Sequence, residues 1–363
     1  MKKWMVSSVV ATAVLAGLGD VSEQAEAQGE AKNVIFMIPD GYSSGYASVY
    51  RAFKEEGIPA WDEHQVGHMM THSANNRVTD SAAAGTAMAT GVKTNNGVIG
   101  LNPEGERVQT VLEAAKDSGR STGLVATSTI THATPAAFAS HVSNRNNEME
   151  IANQFYNQDI DVLLGGGESY FLPKSEGGHQ YLMNYMKRFE RDGYEIARNA
   201  EQLQSANSDR VVGLFANNAM APERDRHETD EPSLQEMTEA ALSALDQNDD
   251  GFFLMVEGSQ IDWAGHANDY DWAMTDTEAF EAAYIEAIEF AKEDEETLVV
   301  MASDHDTGGL ALDGNDNPVW STTNHTGVDV PVYSFGPGSE QFGGLMDNTD
   351  LPKMIANALD IEL

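Results

Sequence analysis

The 363-residue chain has no cysteine. This excludes disulfide staples, thiolate metal ligands, a cysteine nucleophile and a thioether-linked lipid. An exported fold of this kind must be held by its core, by metals, or by both. Basic residues are also scarce. Lys and Arg number 21 against 58 Asp and Glu, a formal charge of −37. Such a field opposes nucleic acid as a partner. It also repels itself at low salt, and concentrated salt screens that repulsion. The balance is expected of a chain adapted to high salt; the other reading is an acidic secreted protein with no such adaptation. Beyond residue 18 no apolar run is long enough for a membrane-spanning helix. Neither an internal repeat nor an interdomain linker divides the chain.

The first 27 residues have the pattern of a secretory signal peptide. Lys2 and Lys3 precede a mainly apolar stretch, residues 4–18, and Ala25-Glu26-Ala27 supplies an A-x-A cleavage site. Residues 28–363 are then expected to be a single catalytic domain, secreted or periplasmic, with no stable membrane anchor. A hydrophobic fraction of 41% is ample for its core.

Short apolar runs at 32–39, 121–127, 159–164, 251–256, 297–302 and 330–335 read as buried strands. Helices are expected at 108–117, 234–245, 274–292 and 352–359, while 171–226 is polar, with one short strand at 211–215. The alternation predicts an α/β fold, a mostly parallel central sheet flanked by helices on both faces. In open sheets of this type, ligands collect at the carboxyl ends of the strands. Here the runs stop at Asp40, at Glu257 followed by Asp262, and at Asp304-His305, and His266 and His325 follow on loops. Each alone is ordinary turn or capping chemistry. Together they bring nitrogen and oxygen donors to one rim, the ligand set of zinc and magnesium in a site without sulfur.

A second stretch points to the same rim. Thr79-Asp80-Ser81 opens a run of small residues, Ala82-Ala83-Ala84-Gly85-Thr86-Ala87. Asp80 and Thr79 are good helix caps and alanine is the strongest helix former. Ser81 thus sits where a loop becomes a helix. Free N–H groups and the positive end of the dipole suit an anion such as phosphate beside its hydroxyl. Arg145 offers a bidentate fork to two phosphate oxygens.

Two suggestive patterns are set aside. His64, His68 and His72 recur every fourth residue, but Gly67 interrupts and 66–71 reads as a strand, so they are not expected to ligate. Asp246, Asn248, Asp250, Gly251 and Glu257 match a calcium loop, D-x-N-x-D-G-x5-E, but a strand rather than a helix is expected to follow.

In order along the chain stand Asp40-Gly41, Thr79-Asp80-Ser81-Ala82-Ala83, Thr134-Pro135-Ala136, Arg145, Glu257-Gly258-x-x-Ile261-Asp262-x-x-x-His266, Asp304-His305-x-Thr307-Gly308-Gly309 and His325-Thr326-Gly327. On these motifs residues 32–340 resemble the alkaline phosphatases. The resemblance implies broad hydrolysis of small phosphate monoesters through a phosphoserine at Ser81, with Arg145 clamping the phosphate. It implies two zinc ions and one magnesium. Asp262, His266 and His325 would hold the first zinc; Asp40, Asp304 and His305 would hold the second, beside Ser81. Asp40 would bridge to magnesium, also bound by Thr134 and Glu257. His132 stands near this third site where some relatives have Asp, and Trp263 stands near the phosphate where some have Lys or His. These departures leave the third metal open. Asp306 replaces a usual Glu outside the ligands, and the span from Asp304 to His325 leaves room for a minimal crown insertion at most. A phosphodiesterase or sulfatase on the same metal scaffold is the alternative activity. Relatives are often homodimers, a partnership no residue here decides.

Overall fold

The computed structural model describes residues 30–54 and 57–363. The signal-peptide segment, 1–27, lies outside the described residues. Ten strands form one sheet: β1 (Asn33–Pro39), β2 (Gln65–Met70), β3 (Ser121–Thr129), β4 (Val162–Gly166), β5 (Glu195–Ala197), β6 (Val211–Leu214), β7 (Phe252–Gly258), β8 (Thr297–Ala302), β9 (Val330–Phe335) and β10 (Gly344–Asp347). Their spatial order is β10-β2-β9-β8-β1-β7-β3-β4-β6-β5. The run from β8 to β5 is parallel throughout; β9 is antiparallel to both β8 and β2. The expected mostly parallel sheet is therefore present.

Alternation along β1 shows why its run is apolar at every position. Val34, Phe36 and Ile38 enter one core, and Ile35 and Met37 enter the core on the opposite face. The first core is covered by α2 (Ser81–Thr90), α3 (Val111–Asp117), α4 (Ala133–Ala139), α5 (Glu148–Gln158) and α10 (Leu351–Ala358). The second is covered by α1 (Ser44–Phe53), α7 (Leu234–Leu245), α8 (Gln260–Ala267) and α9 (Tyr270–Asp294). A further helix, α6 (Tyr185–Arg191), leads into β5. Burial on both faces requires strands without a polar stripe. Among the described residues no helix is long and apolar enough to cross a membrane.

Several boundaries differ from expectation for local reasons. The helix expected from residue 108 begins at Val111, because Thr110 caps it: its Oγ1 accepts from Glu113 N, and the Glu113 side chain accepts from Thr110 N. The strand expected from residue 159 begins at Val162, because Asp159 ends α5 in the left-handed region at φ 56°. The last strand is β10, after β9, and its first two residues, Gly344 and Leu345, are exposed, so no apolar run marks it. The polar region 171–226 holds α6 and β5 as well as the expected strand.

One buried acid lies outside the site. Asp276 of α9 is 7% exposed, and its Oδ2 accepts from Glu223 N at 3.3 Å. Burial pushes its carboxyl up to about 7. A raised folded-state pKa favours the fold below the ordinary value of 3.8, and that contribution is lost as pH climbs from there to about 7. Asp276→Asn keeps the acceptor without the charge. It is expected to stabilise the fold at about pH 9 by on the order of 1–3 kcal/mol and to leave it unchanged at about pH 3.5. Thermal unfolding at the two pH values checks this; equal shifts at both would contradict it.

Candidate active site

The site forms where β1, β7 and β8 end side by side. β1 delivers Asp40, β7 delivers Glu257, and the turn after β8 delivers Asp304 and His305. These ends approach closely. Gly41 N donates to Asp304 Oδ1 at 3.2 Å, and a Cβ on Gly41, at φ +79°, would lie 2.8 Å from Asp262 Cα. Only glycine fits that turn without displacing its neighbours. One turn of α8 puts Asp262 and His266 on the same face. His325 comes from a two-residue strand, His325–Thr326, paired antiparallel with Asp306–Thr307.

Two groups of ligand atoms result among the described residues, Asp262 with His266 and His325, and Asp40 with Asp304 and His305. Within each group the atoms lie inside 4.8 Å of one another. The hydrogen bonds around the rings say what could sit between them. His266 Nδ1 donates to Thr323 O at 2.7 Å and His325 Nδ1 donates to Thr79 O at 2.9 Å. With both rings neutral, as a cation ligand requires, the two Nε2 atoms turn lone pairs toward each other, 3.1 Å apart, with Asp262 Oδ1 at 3.5 and 3.4 Å. Thr307 Oγ1 donates to Asp262 Oδ1, so it accepts from His305 Nδ1 at 3.3 Å. His305 Nε2 in turn faces Asp304 Oδ2 at 3.0 Å and Asp40 Oδ1 at 3.7 Å. Both of those oxygens are buried with no hydrogen-bond partner among the described residues. Acceptors converging on acceptors, with the far ring nitrogens tied to oxygen, are what a divalent cation requires.

The electrostatics agree. Burial, then the charges of Asp304, Asp262 and Glu257, push the Asp40 carboxyl well above the usual range. Burial, reinforced by the charge of Asp304, pushes Glu257 up to about 8. Burial also acts on Asp262, but in the absence of a cation the hydrogen bond from His325 and the charges of protonated His305, His325 and His266 outweigh that and hold its carboxyl below the usual range. Both Glu257 oxygens lack a hydrogen-bond partner among the described residues, and Thr134 and Asp40 lie beside them. Thr134 Oγ1 donates to Asp40 Oδ2 at 3.3 Å. Asp40, Thr134 and Glu257 therefore make an all-oxygen corner, the donor type magnesium prefers.

Ser81 opens α2, and its Oγ lies 3.2 Å from His305 Nε2. The small residues of α2 let it pack closely on α4: a Cβ on Gly85 would lie 3.0 Å from the Cβ of Ala137. Asp80 caps α2, accepting from Ala83 N at 3.0 Å. The same carboxylate accepts from Gly97 N and from Arg145 Nη1 at 3.0 Å. Arg145 Nη2 donates to His132 Nε2 at 3.1 Å. Burial and the neighbouring guanidinium lower the His132 pKa to about 4, so the ring is neutral and can accept. His132 belongs to neither three-ligand group; its Nδ1 is buried without a partner among the described residues, and Trp263 packs edge-on against its ring at 5.9 Å. His64 meets Tyr284, His68 meets Ser44 and His72 meets Asp347, so these three histidines stay outside the site. The calcium-like stretch has a turn at Asn248–Gly251 followed by β7, not a second helix.

The alkaline phosphatase family model matches residues 31–321 and 316–361. The chain belongs to the alkaline phosphatase family. Its reaction is phosphate monoester hydrolysis. Alkaline phosphatase 4 of Bacillus subtilis (strain 168) is 38% identical, covering 98% of this chain and 94% of that protein. The alkaline phosphatase of Escherichia coli (strain K12) is 31% identical over 92% of this chain and 87% of its own. Among solved structures, the alkaline phosphatase of the Antarctic bacterium TAB5 is 33% identical, with a TM-score of 0.82 over 91% of this chain and 98% of that one. A histidine-to-aspartate variant of the TAB5 enzyme has Mg bound in its M3 site.

Sequence reasoning missed three roles. Asp80 reads as a helix cap, but it also anchors Arg145 across 65 positions. Thr307 fixes the His305 tautomer. The carbonyls of Thr79 and Thr323 orient His325 and His266. A backbone carbonyl carries no residue-type signal, so nothing in the sequence marks the last pair.

Proposed function

We propose that Ser81 is the nucleophile, with Arg145 as the phosphate clamp. Asp262, His266 and His325 would hold one zinc, and Asp40, Asp304 and His305 a second beside Ser81. Asp40, Thr134 and Glu257 would hold magnesium, with His132 at its edge. The observation that carries this reading is the placement of Ser81 Oγ against His305, where both ligand groups adjoin: the His305 and His325 rings stack at 3.6 Å. Bound there, divalent cations lower the pKa of a hydroxyl and neutralise charge on a phosphoryl group.

The chain's own residues do the rest. Asp80 and His132 hold the Arg145 fork so that it meets two phosphate oxygens without reorganising. The start of α2 directs backbone N–H groups at the same anion. Ser81 loses its proton and its Oγ bonds to phosphorus. The phosphorus–oxygen bond to the alcohol breaks, and the alcohol leaves with a proton. Water then displaces Oγ, giving inorganic phosphate and free Ser81. Two in-line displacements retain configuration at phosphorus.

Arg145→Ala is the test of the clamp. The KM for aryl phosphate and the inhibition constant for inorganic phosphate are expected to rise about 10- to 100-fold, with a smaller fall in kcat. Unchanged values of both constants would remove Arg145 from the site.

A further inference from the structure

The sheet edge that carries the site also carries an apolar projection that the hydrolysis does not use. After β4 the chain forms an insertion before α6. At its tip Tyr181, Leu182 and Met183 are 74%, 89% and 41% exposed. The other exposed large apolar side chains among the described residues are scattered singly along the chain, whereas these three are consecutive. The tip is firmly mounted. Gln180 Nε2 donates to Met149 O at 2.9 Å and to Tyr170 O at 2.7 Å, and Lys174 N donates to Gln180 O at 2.8 Å. On the other side Asn184 caps α6, accepting from Lys187 N. Met149 lies in the first turn of α5, four residues beyond Arg145. The base of the tip therefore rests on the start of the helix that follows Arg145.

Its charge is unlike that of the rest of the chain. The net charge is −37, yet two cations, Lys174 and Arg188, lie against the tip, and the carboxylate at its base, Glu176, is paired with Lys187. Lys174 Nζ sits 4.4 Å over the Tyr181 ring, and Arg188 Nη2 lies 3.1 Å from Met183 Sδ. An aliphatic point, a tyrosine and flanking cations suit the boundary between acyl chains and headgroup phosphates. The cations complement the phosphates, and Leu182 and Met183 lose their contact with water.

We propose that this tip docks the enzyme reversibly on a phospholipid bilayer. Net negative charge opposes a close approach at low salt, so docking strengthens as salt screens it. The metal-loaded chain is sedimented with vesicles of phosphatidylcholine and anionic phosphatidylglycerol in low and in about 0.5 M NaCl. It is expected to bind in the higher salt, and Leu182→Asp to weaken binding at least tenfold. Lys174→Glu is expected to weaken it severalfold, with aryl phosphate turnover unchanged in both variants. Wild-type protein left in the supernatant, or Leu182→Asp bound as well as wild type, overturns the proposal. So does concentration-dependent self-association that Leu182→Asp abolishes, which would make the tip a contact between copies.

Discussion

Ser81→Ala is expected to lower kcat/KM for an aryl phosphate by at least about a thousandfold. The loss is that large because, in the proposed reaction, the Ser81 hydroxyl oxygen is the atom that bonds to phosphorus, and no neighbour offers a substitute. The groups facing the same space are imidazole nitrogens and carboxylate oxygens that point at one another. Folding is expected to survive. Ser81 is the first residue of α2, but the cap is the Asp80 side chain, and alanine is a better helix former than serine. Arg145 keeps both of its partners, so inorganic phosphate is expected to bind within about tenfold of wild type. Rapid quenching of wild type with labelled substrate should trap label on Ser81, and the variant should trap none. Turnover by the variant at the wild-type rate would assign the nucleophile elsewhere.

Exhaustive chelation is expected to remove nearly all activity and to lower the thermal midpoint by on the order of 10 °C. The reason is burial without compensation. Asp40, Glu257, Asp262 and Asp304 are all buried and share one rim. Burial and mutual repulsion already hold Asp40 and Glu257 far above the usual carboxylate range. Withdrawing cations leaves these groups to take up protons or repel one another, a penalty of several kcal/mol. The chain has no disulfide to offset it. Metal analysis, calorimetry and monoester hydrolysis, before and after chelation and on adding back zinc and then magnesium, separate structural from catalytic loss. A midpoint and a rate that both ignore chelation would sink the cation assignment, while the acidic rim would remain unexplained.

The strands that carry the site were legible because each is apolar on both faces and ends in an ionisable residue. Asp40, Glu257 and Asp304 could be placed on one rim from that pattern alone. His266 followed from the one-turn spacing to Asp262. His325 was legible only through the order of motifs, since its own strand is two residues long and has no periodicity. His132 was expected beside the third metal; its observed partners are Arg145 and Trp263. The 172–184 insertion looked like a polar loop, because three apolar residues are too short a run to register as an element.

The chain by itself determined the class of chemistry. Lacking thiols and rich in strand-end acids and histidines, it could build only an oxygen–nitrogen cation site, and the Asp80-Ser81 helix start supplied a hydroxyl and an anion cradle. Only the tertiary structure decided which lone pairs face one another, which carboxylate anchors Arg145 and where the apolar tip stands. Those relations join residues as far apart as Thr79 and His325, and they depend on sheet order and ring tautomer, neither of which leaves a local trace in sequence.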